Sequence, residues 1–133
     1  MNWDYITGFF DADGSISLVR QNKNRERAPQ ISFHNNELNI LENIQSFIKK
    51  ELNIIGHISK KKKAKEHHGQ QYDLKYHGFP KCIVIGSKLR SIHQKKIKRI
   101  LLSELIHKIT PRNGKYSEQT LKTRSELELK FLN

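Results

Sequence analysis

Between Trp3 and Arg20 the hydrophobic period changes once, from helical to alternating, and the switch falls on two aspartates closed by a glycine. In "WDYITGFFDADG", Trp3, Ile6 and Phe10 recur at i, i+3 and i+7 and form one helical face. Tyr5, Gly8 and Ala12 form a second face at the same spacing, and its last two members are small. A helix that is apolar on two sides needs cover on two sides. The small residues would let another backbone come close, from the same chain or from a partner. Asn2 stands where an N-cap belongs. After Gly14 the period is 2: Ile16 and Leu18 alternate with Ser15, Ser17 and Val19, the pattern of a half-buried strand. A chain that feeds such a helix into such a strand mixes α and β structure within one core.

The rest of the chain repeats this grammar. A polar loop, "QNKNRERAP", leads to "QISFHN", where Ile31 and Phe33 face one way and Gln30, Ser32 and His34 the other. Asn36 is expected to cap an amphipathic helix carrying Ile40, Leu41, Ile44, Phe47, Ile48 and Leu52, and Gly56 to end that region. A second hairpin follows, in which Tyr72, Leu74 and Tyr76 alternate with Gln71, Asp73 and Lys75. Pro80 to Ser91 leaves two readings open, because "CIVIG" is strand-like and "SKLRSI" helix-like. A helical period returns from His93 through Ile97, Ile100, Leu101, Leu105 and Ile109, "TPRNG" stops it, and Ser117 caps a last helix. Hairpins that each precede a helix imply an α+β domain with helices on one sheet face. The other face, rich in Ser, Gln, His, Lys and Asp, stays wet or meets something polar. The two helix–strand–strand units hint at a duplicated topology, although their sequences do not match.

A length of 133 residues fits one domain, residues 1–133, with a single modest core. Twenty-five Lys and Arg against 13 Asp and Glu give +12, an excess that points to a polyanionic partner. The basic residues are spread along the chain, which argues against a membrane-surface helix. Mean hydropathy is −0.73, and no apolar run approaches the roughly 18 residues of a membrane span. "MNWDYITGFF" has neither the basic start nor the cleavage site of a secretory signal. The single cysteine, Cys82, excludes an internal disulfide and fits a reducing compartment, where it reads as a buried thiol. Lys60 to Lys63 and Lys65 fit phosphate contacts in so basic a protein. His67 and His68 lack Cys or His partners at zinc spacing and read as solvated loop residues.

The aspartate pair is not an EF-hand loop, because Gly14 follows Asp13 directly and the twelfth position from Asp11 is Asn22. A helix-stop turn with glycine at positive φ accounts for Gly14 and one aspartate. It leaves Gly8 and the doubly apolar helix unexplained. "ITGFFDADG" (Ile6 to Gly14) resembles the LAGLIDADG signature of homing endonucleases and intron maturases. Gly8, Asp11, Ala12, Asp13 and Gly14 match letter for letter; Ile6, Phe9 and Phe10 replace apolar letters, and Thr7 a small one.

One copy of the motif resembles the branch of that family that works as homodimers. The resemblance implies an αββαββα fold whose antiparallel sheet forms a saddle on double-stranded DNA, with helices on the other face. It implies a helix pair made by Ile6, Thr7, Gly8, Phe9, Asp11 and Ala12, packed through Gly8 and Ala12. Asp13 would bind Mg²⁺, with Mn²⁺ as a substitute and the backbone of Ala12 or Gly14 as a further ligand, while Asp11 is more structural. Asn36 or Glu37 would orient water, and His93, with Lys95 beside it, would supply the basic group. Period 2 then assigns DNA contacts to Ser17, Val19, Gln21, Lys23, Arg25, Gln30, Ser32, His34, His57, Ser59, Lys61, Gln71, Asp73 and Lys75. "LKTR" (Leu121 to Arg124) reads as a phosphate contact. The implied activity is site-specific cleavage of both strands of a long pseudo-palindromic site by an intron-encoded enzyme. Its place would be an organelle, such as a mitochondrion or chloroplast, or a prokaryotic or archaeal cytoplasm. Two rivals remain on the same fold, a maturase that binds intron RNA and a non-catalytic DNA-binding protein.

Overall fold

Alternating strands with one apolar side can only be stable if that side is covered, and helices cover it. The computed structural model describes residues 1–20, 26–61, 69–111 and 116–133. In chain order the elements are α1 (Trp3–Asp13), β1 (Gly14–Val19), β2 (Ala28–Asn35), α2 (Leu38–Leu52), β3 (His57–Lys61), β4 (Gln71–His77), α3 (Phe79–Lys88), α4 (Gln94–Ile109) and α5 (Glu118–Leu132). The strands form one antiparallel sheet in the order β1-β2-β4-β3, so the architecture is the expected αββαββα, extended by two helices.

The inner sheet face is Ile16, Leu18, Ile31, Phe33, Leu74 and Tyr76, all buried. Onto it pack Ile6 and Phe10 of α1, Leu41, Ile44 and Ile48 of α2, Cys82 and Ile85 of α3, Ile106 of α4 and Phe131 of α5. Each such side chain contributes about 1.5–3 kcal/mol by leaving water. Trp3 meets Phe47 edge-on at 5.2 Å and ties α1 to α2. Gly56 lies directly against Tyr76, where a Cβ would come within 2.5 Å of the ring. Burial pushes the Cys82 thiol up to about 12, and the thiol donates weakly to the carbonyls of Pro29 and Tyr76.

Local chemistry sets the helix ends. Asn2 Oδ1 accepts the Tyr5 N–H at 2.8 Å, and Ser117 Oγ accepts that of Thr120 at 3.1 Å, as the capping pattern requires. At α2 the expectation is corrected. The N-cap is Glu37, without a side-chain bond, and Asn35 Oδ1 accepts the Glu37 N–H at 2.8 Å, so Asn35 rather than Asn36 shapes the turn. The same helix ends at Asn53 in the left-handed region (φ 55°), before Gly56 is reached. "CIVIG" is helical, within α3, because Pro80 and Gly78 start a helix that Cys82 and Ile85 anchor in the core. In α4 the apolar repeat Leu101 and Leu105 lies exposed, and the buried side is Ile100, Leu102, Ser103 and Ile106.

Two arginines fasten α4 and α5 to the first hairpin. Arg99 Nη1 donates to Ile16 O, a carbonyl of the edge strand β1, and its Nε donates to Phe131 O. Arg124 is not the surface phosphate contact that "LKTR" suggested, because it is 97% buried, with 3% exposure. Its guanidinium donates to Arg27 O (2.8 Å), Thr110 Oγ1 (2.6 Å) and Glu128 Oε1 (3.2 Å), and it lies over the Phe79 ring. A buried charge with its donors satisfied is costly to dismantle. Arg124→Met is expected to lower stability by about 3 kcal/mol, seen as a lower urea midpoint. A midpoint equal to wild type would show that the clamp is not needed.

Candidate functional site

The last turn of a helix exposes carbonyls that need donors. In α1 the Gly14 N–H bonds Phe10 O, and Gly14 itself is extended (φ −107°, ψ 170°), not left-handed. The glycine is required for space: a Cβ there would lie 2.6 Å from Phe10 Cδ1 and 2.8 Å from Phe10 Cα. No basic residue of α1 lies in its last turn. The cation comes instead from α4, where Lys96 Nζ donates to Phe10 O at 2.6 Å and Asp11 O at 2.9 Å. It also sits over the Phe10 ring. Burial lowers the Lys96 pKa, against the opposing pull of Asp11 and Asp13. The basic side chain that meets the end of the motif is therefore Lys96, and neither His93 nor Lys95. His93 caps α4 by its backbone, and both His93 and Lys95 are exposed. One residue along a helix turns a side chain by about 100°, which decides which lysine meets α1.

The two aspartates part company. Asp11 accepts from the Ser91 hydroxyl through Oδ1 and from the Ile92 N–H at 3.0 Å through Oδ2. Ser91 Oγ in turn accepts the His93 N–H at 3.1 Å, and Thr7 Oγ1 accepts that of Arg90 at 3.3 Å. Asp11 thus holds the α3–α4 connection against α1. Asp13 stays exposed at the junction with β1. Since Gly14 pairs with Phe33, the end of β2 runs beside this junction. Exposed Asn36 and Glu37 follow there, at the same end of the sheet. Among the described residues no three His, Cys, Asp or Glu side chains cluster as a metal site, so the single chain offers Asp13 as a lone carboxylate.

The expected helix-pair residues divide in the same way. Ile6 is a core residue with no exposure, which removes it from any second-copy contact. Thr7 and Asp11 spend their polar atoms inside the chain itself, and Phe9 leans on Phe33 and Tyr5. Left exposed are Gly8 and Ala12, with Asp4 and Tyr5. A Cβ on Gly8 would meet nothing within 4 Å.

The outer sheet face is set by register. Ser15 lies opposite Ser32, which lies opposite Lys75, which lies opposite His57. Ser17, Gln30 and His77 form the next row, His34, Asp73 and Ser59 another, and Gln71 pairs with Lys61. Val19 pairs with Ala28 at the far end. Of the residues assigned to DNA contact, His57, Lys61 and Gln71 are exposed, and Ser17, Val19, Gln30, His34, Ser59 and Lys75 are half-buried. Ser32 and Asp73 are covered, at 3% and 7% exposure. They sit on central strands under longer neighbours, so neither is a free contact group. Gln21, Lys23, Arg25, Lys62, Lys63, Lys65, His67 and His68 lie outside the described residues. Two further members of the face, Ser15 and His77, were left out of the assigned contacts, although extending the same period by one step reaches both. Burial, with Lys81 nearby, lowers the His77 pKa.

The family profile described as LAGLIDADG endonuclease matches residues 6–100. The chain belongs to the LAGLIDADG endonuclease family. Among solved structures it is similar to the homing endonuclease I-CvuI in complex with the I-CreI target. Identity there is 19% and the TM-score 0.72, over 97% of this chain and 78% of that one. It is also similar to the archaeal intron-encoded homing endonuclease I-Vdi141I complexed with DNA, with 23% identity and TM-score 0.68 over 98% and 81%. A third likeness is to the LAGLIDADG homing endonuclease I-GzeII with its DNA target, with 19% identity and TM-score 0.68 over 98% of this chain and 43% of that one. None of the curated proteins compared matches the chain.

In this LAGLIDADG chain the signature therefore mixes architecture with an open group. Asp11→Ala and Lys96→Met each remove buried or half-buried hydrogen bonds and are expected to lower stability by about 1–3 kcal/mol. Asp13→Ala, at an exposed carboxylate, is expected to leave the urea midpoint unchanged. Equal losses in all three variants would erase the distinction between the aspartates.

Proposed function

We propose that two copies of this chain form a site-specific, metal-dependent DNA endonuclease that hydrolyses one phosphodiester in each strand of a long pseudo-palindromic duplex site. The observation that carries this reading is the exposed Asp13 carboxylate at the end of a helix whose small-residue face, Gly8 and Ala12, is also exposed. Two such helices packed through that face bring their ends, and both Asp13 carboxylates, together at a two-fold axis. One catalytic carboxylate per protomer then serves one strand. The family membership and the +12 charge support the same reading.

Mg²⁺ fits the residues present, since it keeps several waters and needs only one or two carboxylates beside the phosphate oxygens. Asp13 is the ligand of this chain, with the Ala12 or Gly14 carbonyl as a backbone alternative, and Mn²⁺ has the same donor preference. When bound, the ion polarises the phosphate and acidifies its water. Lys96 holds positive charge at the helix end, where negative charge develops on the phosphate. Asn36 and Glu37, on the same end of the sheet, are placed to orient water. The outer sheet face lies against the major groove, where its exposed side chains meet base edges and phosphates.

Cleavage of supercoiled DNA carrying the target, with Mg²⁺, tests the activity. Asp13→Asn is expected to abolish cutting and to leave specific binding within about tenfold; a variant that still cuts at near wild-type rate would remove Asp13 from the chemistry. A wild-type chain that binds RNA but never nicks DNA would favour the maturase reading.

The dimer has its own test. Gly8 has room for a side chain within the protomer, so Gly8→Leu should keep its fold, read by circular dichroism. It should lose both the dimer, read by light scattering, and cleavage. A wild-type chain that stays monomeric on DNA would contradict the arrangement.

A further inference from the structure

Across the outer sheet face runs a chain of hydrogen bonds linking three strands. Ser15 Oγ and Ser32 Oγ are 2.7 Å apart, Ser32 Oγ and His34 Nε2 3.2 Å, and His34 Nδ1 and Asp73 Oδ1 2.5 Å. Lys75 Nζ lies 3.9 Å from Asp73 Oδ2. The Asp73 side chain is 10% exposed and that of His34 39%. A carboxylate is a poor choice for a surface that meets phosphates, unless its work is done on its neighbours.

We propose that Asp73 is a positioning residue for base reading, which acts by fixing the direction of this chain. The inference rests on the DNA-facing role of the sheet proposed above. An ionised carboxylate accepts only, so His34 carries a proton on Nδ1. With the ring otherwise neutral, Nε2 is an acceptor and must be served by the Ser32 hydroxyl. Ser32 has then given its proton, so its oxygen accepts from Ser15. Ser15 has given its proton too and offers the DNA lone pairs alone. In the major groove an acceptor selects an exocyclic amino group, that of adenine or cytosine, and rejects the carbonyl of guanine or thymine. Both ring nitrogens of His34 are spent within the protein. Its effect on sequence preference therefore passes through Ser15, and Asp73 also draws the Lys75 ammonium to a fixed place beside the row.

Two measurements on the full chain decide this. In DNA-free protein at pH 8, nitrogen-15 NMR of the histidines should show His34 as the neutral Nδ1–H tautomer. Asp73→Ala, which removes the acceptor, should release that preference. A ring found as Nε2–H, as imidazolium, or unchanged by Asp73→Ala would overturn the proposal. In binding to a library of half-sites, wild type should prefer adenine or cytosine at one position, and Ser15→Ala should lose that preference. Asp73→Ala should bind non-target DNA as tightly as wild type or more tightly, since a negative charge is gone, yet lose roughly tenfold in discrimination there. Asp73→Ala combined with His34→Ala should lose no more than either alone. A uniform change over all sequences, or additive losses in the double variant, would show that Asp73 does not act through His34. Thermal unfolding confirms that each variant is folded. If wild type binds all duplexes alike, the DNA-reading role of the sheet falls, whereas the NMR result still decides the tautomer independently.

Discussion

The carbonyl oxygens at the end of α1 point away from their own helix, and the Lys96 ammonium meets two of them from α4. That contact fixes the distance between the first and fourth helices. With the helix end held, Asp11 reaches the α3–α4 connection and Asp13 stays exposed. Gly14 completes the arrangement, because only a residue without a Cβ lets the chain leave the helix this tightly. The aspartate pair is thus one structural tie and one open ligand, separated by a single residue. Helix geometry accounts for that, since two residues along α1 rotate a side chain by about 200°.

The outer sheet face is likewise graded from centre to edge. On β2 and β4, which have neighbours on both sides, Ser32 and Asp73 are covered. On β3, an edge strand, His57 and Lys61 are exposed. Its lysines also discourage pairing with another sheet. At the opposite edge Arg99 occupies a β1 carbonyl. The face thus carries its exposed cations at the rim and keeps its middle ordered by internal hydrogen bonds.

Much of this was legible in the sequence, for identifiable reasons. The strands, their faces and the caps Asn2 and Ser117 follow from period and local hydrogen bonding, which need no knowledge of distant residues. The signature "ITGFFDADG" led to the family, and the profile match bears that out. What was missed depends on contacts between distant parts of the chain. Lys95 and Lys96 look alike in one dimension and differ only by which one meets α1. The buried stripe of α4 was read one step away, since "ILLSELI" offers apolar residues on two adjacent faces. Arg124 looks like any surface arginine until Arg27 and Thr110 are seen around it. Ser32 and Asp73 keep their expected face, but alternation says nothing of what lies over them.

The bond from Arg124 to the Arg27 carbonyl spans 97 residues of sequence. A hairpin that begins near the start of the chain is completed by a side chain made near its end. At ordinary synthesis rates that is a delay of about 5–20 s, during which β1 lacks the clamp of α5 and, for most of it, the Arg99 cover of its edge. Long-range closure of this kind slows folding. The nascent chain carries a bare strand edge while that closure waits, and an unpaired edge is where a chain pairs wrongly before its own contacts are complete.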